Sequence, residues 1–389
     1  METERIRNYI DNGNTLLGIG PMSINCVNAA IDIANENSDI PVMLIASRRQ
    51  IDHRNIKRGY VNNWSTDEFT KYVREKQNND NLILARDHGG PWQNNIEIDR
   101  KYSINDAMKS AKESYLRDIE AGLDILHIDP SIDIFEQLSF EKIFDRLTDL
   151  YEFCDSKAKE LNRNIEFEIG TEEQMEHVNS IFEFTSMLDL VKRFCENQNL
   201  KKPLFVVTQI GTKVMETKNI GILNQQQNKR IISEIEALCR ASLDKGYYVK
   251  VHNTDYLDRQ VLSIFPNLKI SAANVAPEFG VCETKSFINL LEKYYLIDLE
   301  NEFLEYSYNS HKWDKWITLG SNLSNRDKAI ISGHYIFSDD KFKLIKEQAQ
   351  KQIKNLNIDE YLKNEIKKNI MQYISCFNVK KGAETLCQQ

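Results

Sequence analysis

The sequence lacks the features of membrane and nucleic-acid-binding proteins. No window approaches the roughly 20 apolar residues of a membrane-spanning helix, and the acidic start at Met1–Glu4 is not a charged and then apolar leader. The 50 Lys and Arg residues against 58 Asp and Glu residues give a net charge of −8, which provides no positive field for nucleic acid or anionic lipid. We therefore expect a cytoplasmic protein that binds neither nucleic acid nor membrane.

The sequence also lacks the motifs of cysteine-bound zinc sites and of dinucleotide-binding sites. The seven cysteines form no C-x-x-C pair, so we interpret them as scattered reduced thiols. Gly18-Ile19-Gly20 is only half of the G-x-G-x-x-G fingerprint, and Pro21 would remove an N–H group that faces a phosphate, so a tight strand-to-helix turn is the better interpretation. No Gly/Ser-rich or Pro-rich linker divides the chain.

The sequence does contain a regular alternation of short apolar runs and helical patterns. Its hydrophobic fraction of 41% and charged fraction of 28% are typical of a folded globular chain. Runs rich in β-branched residues predict eight strands, at Leu16–Ile19, Val42–Ile45, Leu82–Ala85, Ile125–Ile128, Ile165–Ile169, Leu204–Val207, Tyr247–Val251 and, with the weakest pattern, Leu268–Ile270. The helical patterns between them are Cys26–Ala34, Asp67–Arg74, Asn105–Ile119, Phe140–Leu161, Met175–Cys195, Lys229–Leu243 and Leu257–Phe265.

This alternation predicts an α/β fold, and the count of eight favours a (β/α)8 TIM barrel over a doubly wound sheet. Ser65 with Glu68 is typical of a capping box, and Gly122 and Gly246 stand where helices end in a left-handed residue. We expect residues 1–291 to form the barrel. Residues 292–389 should form a helical extension that packs on the barrel or on a second subunit of a homo-oligomer, with helices at Asn301–Tyr308, Phe342–Leu356 and Ile358–Ile374.

Polar residues follow the predicted strands, at the barrel end where active sites lie. His88, His127 and His252 are candidate ligands of a divalent metal, most simply Zn²⁺. The candidate catalytic carboxylates are Asp87 as an acid/base, Asp129 as a partner of a ring nitrogen, and Glu168, which could also bind the metal. Two alternatives stay open, because His127 could be a hydrogen-bonded core histidine and Glu168 could face the helices if the register shifts by one residue.

Other polar residues of the same loops are candidate substrate contacts. Arg48 and Arg49 offer a fork for a phosphate or carboxylate, although such a pair also occurs in salt-bridged loops. Trp92 could stack on a sugar face. Asp255 could contact substrate or cap the following helix. The set of substrate-binding candidates is Arg48, Arg49, Gln50, Trp92, Glu172, Asn253 and Asp255.

Four segments together resemble one known family. They are Asp87-His88-Gly89-Gly90-Pro91, His127-Ile128-Asp129-Pro130-Ser131, Glu168-Ile169-Gly170-Thr171-Glu172 and His252-Asn253-Thr254-Asp255-Tyr256. They are similar, in the same order, to the D-H-x-G-P, H-x-D-x-S, I-G-T-E and H-x-T-D-Y segments of the class II D-tagatose-1,6-bisphosphate aldolase accessory subunit. A weaker similarity continues into the helical tail.

The resemblance implies a TIM barrel related to metal-dependent ketose-bisphosphate aldolases, in which a metal polarises the ketose carbonyl and an Asp handles the proton at C4. Asp87 and His88 match that Asp-His pair. Members of the family are also described as non-catalytic partners of a separate aldolase, and some carry a tagatose-6-phosphate kinase label. A kinase is not expected here, because no G-x-x-x-x-G-K-[ST] loop is present.

Two departures from the family affect the substrate. The chain continues with Glu173-Gln174-Met175-Glu176 where the family has a Pro-Gly-Gly stretch, and Ile45 stands where a glutamate is common. A more anionic substrate, such as a sugar acid or nucleotide-linked sugar, is therefore conceivable. We expect a metal-dependent enzyme that acts on a ketose or related sugar phosphate by retro-aldol cleavage or C4 epimerisation. The alternative is a non-catalytic accessory subunit that stabilises a class II aldolase catalytic subunit.

Overall fold

The computed structural model describes residues 2–55, 59–170, 178–225 and 229–378. Its centre is a closed barrel of eight parallel strands, which confirms the predicted (β/α)8 fold. The strands are β1 Leu16–Ile19, β2 Val42–Ser47, β3 Leu82–Gly89, β4 Ile125–Ile128, β5 Glu166–Ile169, β6 Phe205–Val207, β7 Tyr248–Val251 and β8 Ala272–Val275. The barrel closes where β1 pairs with β8, with Leu16 opposite Ala272 and Ile19 opposite Val275.

Helices follow the strands and continue beyond the barrel. They are α1 Glu2–Asp11, α2 Ile24–Glu36, α3 Thr66–Lys76, α4 Asn95–Asp99, α5 Ile104–Ala121, α6 Phe140–Glu160, α7 Ile181–Asn197, α8 Ile222–Gln225, α9 Lys229–Asp244, α10 Arg259–Leu262, α11 Pro277–Lys293, α12 Ile297–Asn309, α13 Asn325–Ser332, α14 Asp340–Gln352 and α15 Ile358–Phe377. None of the helices in the described ranges has an apolar stretch sufficient to span a membrane.

Local signals at the helix ends agree with the prediction. Ser65 and Glu68 form a reciprocal capping box at the start of α3. Gly122 ends α5 with a φ of +97°, and Gly246 follows α9 with a φ of +84°, conformations that glycine adopts without steric strain. The chain can therefore leave each helix abruptly and enter the next strand.

Two predicted elements were misplaced. The eighth strand begins at Ala272, after the predicted Leu268–Ile270, because Lys269 has a φ of +63° and cannot belong to an extended strand. Leu268 and Ile270 are buried in the core as parts of a turn, so their apolar character reflects packing and not pairing. The seventh helix begins at Ile181 and not at Met175, which belongs to residues 171–177 outside the described part of the chain.

The C-terminal helices pack on the barrel. Ile366, Ile370 and Phe377 of α15 belong to the main hydrophobic core, and the Phe377 ring stacks on Phe265 with centroids 5.5 Å apart. A second core joins α11, α12, α14 and the start of α15. The predicted boundary at residue 291 falls inside α11, whose last turns contribute Leu290 and Leu291 to this second core.

Candidate active site

Three histidines from separate strands meet at the C-terminal mouth of the barrel. His88 lies in β3, His127 in β4, and His252 directly after β7. His88 Nε2 and His252 Nδ1 are 3.1 Å apart, and one ring nitrogen from each of the three histidines lies within 4.8 Å of the others. Because β3 and β7 are not neighbours in the barrel, this contact crosses its interior.

Close contacts with the backbone fix the positions of these histidine rings. His88 has a φ of +45°, and its amide donates to His127 Nδ1 at 3.2 Å. A Cβ atom at Gly170 would lie 2.7 Å from His127 Nε2, and one at Gly90 would lie 2.1 Å from the Asp129 carbonyl oxygen. Glycine is therefore required at both positions for the strand ends to pack around the histidine rings.

Two carboxylates border the histidine cluster. Glu168 Oε1 is 3.0 Å from His252 Nε2 and 3.5 Å from His127 Nδ1, while Glu168 Oε2 accepts from Lys250 Nζ at 2.5 Å. Since β6 separates β5 from β7, these contacts show that Glu168 faces the barrel interior. The alternative register, in which Glu168 faces the helices, is therefore wrong. Asp87 Oδ1 lies 3.9 Å from a nitrogen of each of the three histidines.

Asp129 orients the His88 ring. Its Oδ2 lies 2.7 Å from His88 Nδ1 and accepts from Gln93 at 3.0 Å, while its Oδ1 accepts from the Ser131 hydroxyl. A carboxylate that holds one ring nitrogen of a histidine fixes the ring and leaves the other nitrogen for a ligand. His88 Nε2 is the nitrogen that points toward His252.

The ionisation of the site follows from this crowding. Burial opposes the charged form of His88, but the carboxylates of Asp87 and Asp129 outweigh it and raise the His88 pKa to about 9. Burial lowers the pKa of His252 to about 4, despite its bond to Glu168. For Glu168, burial is outweighed by Lys250 and His127, which lower the pKa to about 2. Asp87 is likewise held ionised, because His88 and its neighbours keep its pKa well below the usual range.

The residues present fit a divalent metal. His127 Nε2 is buried without a hydrogen-bond partner among the described residues, and two further imidazoles turn nitrogens toward each other in contact with ionised carboxylates. Three nitrogen donors with an adjacent carboxylate are a common ligand set of catalytic zinc sites. His127 is therefore not a core histidine with both nitrogens satisfied, although its Nδ1 does accept a backbone amide.

Arg48 and Trp92 were predicted to contact substrate, but the structure places both side chains among internal partners. The Arg48 guanidinium is fully buried, 3.0 Å from Asp52 and 2.6 Å from Glu97, and donates to the Gly90 carbonyl. Trp92 is also fully buried, and its indole donates to the Tyr102 carbonyl. Arg48 is thus paired with internal acceptors and Trp92 is enclosed by protein, so neither has the environment expected of a substrate contact.

The other substrate candidates occupy different environments. Gln50 is buried and its Oε1 accepts from the Ser47 amide, whereas Arg49 beside it is half-buried and bonds Asn95. Asn253 adjoins His252 with a φ of +59°. Asp255 is buried and accepts the amides of Ala276 and Glu278, so it caps α11 and not the next helix, α10. Glu172 lies outside the described residues.

Sequence analysis missed three residues that support the site. Lys250 pairs with Glu168, Asn274 donates to Asp87 Oδ1 at 3.2 Å, and Gln93 donates to Asp129. Lys250 lay inside a predicted strand, where alternation alone cannot tell a lumenal residue from a helix-facing one. Asn274 lay beyond the predicted eighth strand, which was placed too early in the chain. A lysine within an otherwise apolar strand is the one available signal, since buried lysines require a charged partner.

Comparisons with known proteins identify the fold. No family model and no curated protein matches the chain. Among solved structures it is similar to a probable tagatose 6-phosphate kinase from Sinorhizobium meliloti, with a TM-score of 0.76, 15% identity, and coverage of 93% of this chain and 100% of that chain.

Two fructose-bisphosphate aldolases are also similar. That from Campylobacter jejuni has a TM-score of 0.56 and 10% identity over 96% of this chain and 92% of that one. The putative fructose-1,6-bisphosphate aldolase from Coccidioides immitis has a TM-score of 0.51 and 9% identity over 97% and 96%. At these identities the likeness concerns the fold alone, and the chain has the (β/α)8 barrel of these structures.

Proposed function

We propose that the protein is a metal-dependent enzyme that acts on a ketose or sugar phosphate by retro-aldol cleavage or C4 epimerisation. The observation that carries this proposal is the convergence of His88, His127 and His252 with Asp87 and Glu168 at the barrel mouth. The aldolase names of two structures with the same fold are consistent with it.

In this proposal His88, His127 and His252 would hold the metal, with Glu168 beside them. The nitrogen-rich set favours Zn²⁺ over Mg²⁺ or Ca²⁺, which prefer oxygen ligands. A metal bound there would polarise the ketose carbonyl and stabilise the negative charge that develops beside it. Lys250 and Asp129 are positioning residues, because Lys250 holds Glu168 and Asp129 holds the His88 ring.

Asp87 is the proposed base. Its carboxylate is held by Asn274 and lies beside the histidine cluster, so it is placed to accept the proton of the substrate C4 hydroxyl as the C3–C4 bond breaks. The proton then resides on Asp87, and the C4 carbon becomes an aldehyde. The electron pair of the broken bond becomes the enolate of C2 and C3. Release of the aldehyde and uptake of a proton at C3 complete an aldol cleavage, whereas reattack of the enolate carbon C3 on the opposite face of the aldehyde, with return of the proton from Asp87 to the C4 oxygen, completes an epimerisation.

The test combines metal analysis with a substrate screen. The purified full chain should contain close to one equivalent of a divalent metal, and a screen of ketose mono- and bisphosphates followed by ¹H NMR should reveal an aldehyde or a C4 epimer. Replacing His252 by Ala should abolish both metal binding and turnover. The matched control is His311→Ala, which removes an exposed histidine. A metal-free wild type that turns over none of these sugars, but increases the activity of an added class II aldolase, would establish the accessory role instead.

A further inference from the structure

His252 begins a loop whose backbone is strained. Asn253, the next residue, has a φ of +59°, and Tyr256 has the same φ three residues later. A left-handed conformation costs free energy for a residue with a side chain, least for asparagine, and it persists only where neighbouring groups hold it. The position of the His252 ring therefore depends on what holds residues 252–256.

The segment that follows β6 holds three carbonyl groups of this loop. The Thr212 hydroxyl donates to the His252 carbonyl at 3.0 Å. The Asn219 Nδ2 donates to the Asn253 carbonyl at 2.9 Å and to the Asp255 carbonyl at 3.0 Å. Thr212 and Asn219 are both buried, so water competes little for these hydrogen bonds.

A short hairpin keeps the Asn219 side chain in place. Its two antiparallel strands are Val214–Met215 and Lys218–Asn219. The Asn219 Oδ1 accepts the amides of Lys213 and Gly221, each at 3.2 Å. The side-chain amide therefore cannot rotate without breaking hydrogen bonds at both its oxygen and its nitrogen.

The C-terminal region fixes the turn of this hairpin. The Glu216 amide donates to the Trp316 carbonyl at 2.7 Å, and the Glu216 carboxylate accepts from the Thr318 hydroxyl at 2.6 Å. Trp316 and Thr318 belong to the segment between α12 and α13. The hairpin is thus held between this segment and the His252 loop, and it supports that loop from a fixed position.

The strand β6 contributes to the site in a different way from its neighbours. The histidine cluster and its carboxylates come from β3, β4, β5 and the residue after β7, whereas the side chains that follow β6 contact the backbone of the β7 loop. Both nitrogens of the His252 ring depend on the position of that loop, since Nδ1 faces His88 and Nε2 faces Glu168.

We propose that Thr212 and Asn219 are positioning residues, which place the His252 ring in the histidine cluster by holding the carbonyls of its loop. Neither side chain bonds the ring, so each acts on the site through the backbone. The consequence of this placement for metal binding rests on the proposed function.

The first readout is the His252 imidazole in the full chain, labelled with ¹⁵N-histidine, freed of metal and assigned by comparison with His252→Ala. Thr212→Val keeps the volume of the side chain and removes the hydroxyl, and Asn219→Ala removes both donors. We expect each to shift the ring resonances of His252. Thr212→Ser keeps the hydroxyl and should restore the wild-type resonances. Thr212→Val decides the question should Asn219→Ala fail to fold.

The matched control is Thr15→Val. Thr15 is as buried as Thr212, and its hydroxyl also donates to a carbonyl, that of Ile270 at 2.7 Å. It precedes β1, however, and so lies at the end of the barrel opposite the mouth. Thr15→Val should lower the melting temperature about as much as Thr212→Val and leave the His252 resonances unchanged.

The second readout is the affinity for Zn²⁺, measured by competition with a chromogenic chelator. Thr212→Val and Asn219→Ala should weaken it about tenfold or more, the scale seen when a group that orients a metal ligand is removed. Unchanged His252 resonances in Thr212→Val, or an equal shift in Thr15→Val, would overturn the positioning role. Wild-type protein that binds no Zn²⁺ would reject the proposed function, while shifted His252 resonances in Thr212→Val would still support the positioning role.

Discussion

Two buried groups of charged residues lie near the ends of β2 and β3, and they are built in opposite ways. Behind the strands, Arg86 is 2.6 Å from Asp118, and Arg48 is held between Asp52 and Glu97. At the mouth, the histidines turn nitrogens toward each other, and His127 Nε2 has no hydrogen-bond partner in the described part of the chain.

The difference separates a structural network from a binding site. Each guanidinium behind the strands has carboxylate and carbonyl acceptors of its own, so the network needs no further ligand. The histidine cluster has more nitrogen donors than protein partners, and a metal ion would satisfy them together. Burial of charge by itself therefore does not mark function. At the mouth, the unpaired His127 Nε2 beside two further imidazoles is what points to a ligand.

Removal of the metal should produce the largest effect. It is the most direct test of the difference between the paired arginine network and the histidine cluster. Treatment with a chelator, or His252→Ala, should lower turnover on the order of 10³-fold, because Lewis-acid stabilisation contributes several kcal/mol to the transition state. Zn²⁺ should restore activity to the chelated wild type and not to the variant. Turnover that survives complete removal of metal would contradict the assignment of the cluster.

Arg86→Met should destabilise the fold without acting on the metal. The change leaves the buried Asp118 carboxylate unpaired, and breaking such a pair costs about 3–5 kcal/mol. Urea unfolding measures this loss, and the folded fraction should keep its metal. Arg240→Met removes an exposed arginine paired with Glu236 and should cost less than about 1 kcal/mol. Equal losses for the two variants would show that the buried network is not structural.

Asp87→Asn should lower turnover about 10²-fold, the scale of a lost general base. The amide keeps the shape of the side chain, so metal content and melting temperature should remain close to wild type. Steady-state kinetics and metal analysis of the same preparation test this. Full activity on the identified substrate would remove Asp87 from the mechanism, and loss of metal in this variant would make it a ligand instead.

Glu283→Gln tests a buried carboxylate without a cationic hydrogen-bond partner. Glu283 accepts from Ser23 and Asn25, and burial raises its pKa from 4.5 to about 7. The folded state therefore binds the proton more tightly, and stability should fall as pH rises from about 4.5 to 7, by roughly 2–3 kcal/mol. The variant should lack this fall. Urea unfolding at pH 5 and pH 8 measures it, and identical pH dependence in both proteins would contradict the assignment.

The sequence located part of the candidate site, because the polar residues that follow predicted strands could be recognised. His88, His127 and His252 were placed together by the general rule that the C-terminal ends of barrel strands meet at one mouth. The same rule also selected Arg48 and Trp92, which the structure buries among internal partners. Loop residues one position apart can face opposite directions, and sequence order does not reveal which one faces the mouth.

The sequence by itself determined the alternation of strands and helices, because periodicity, capping residues and left-handed glycines act over a few residues. It could not place β8, because the turn at Lys269 buries apolar residues that have the pattern of a strand. It could not select Lys250, since that depends on which face of a strand turns inward when the barrel closes. Tertiary structure alone decided that Glu168 reaches across β6 to Lys250, and that Phe377 from the C-terminal helix α15 stacks on Phe265 of the barrel region. Such contacts join residues far apart in the chain, and their energies arise only when the whole barrel and its C-terminal helices pack together.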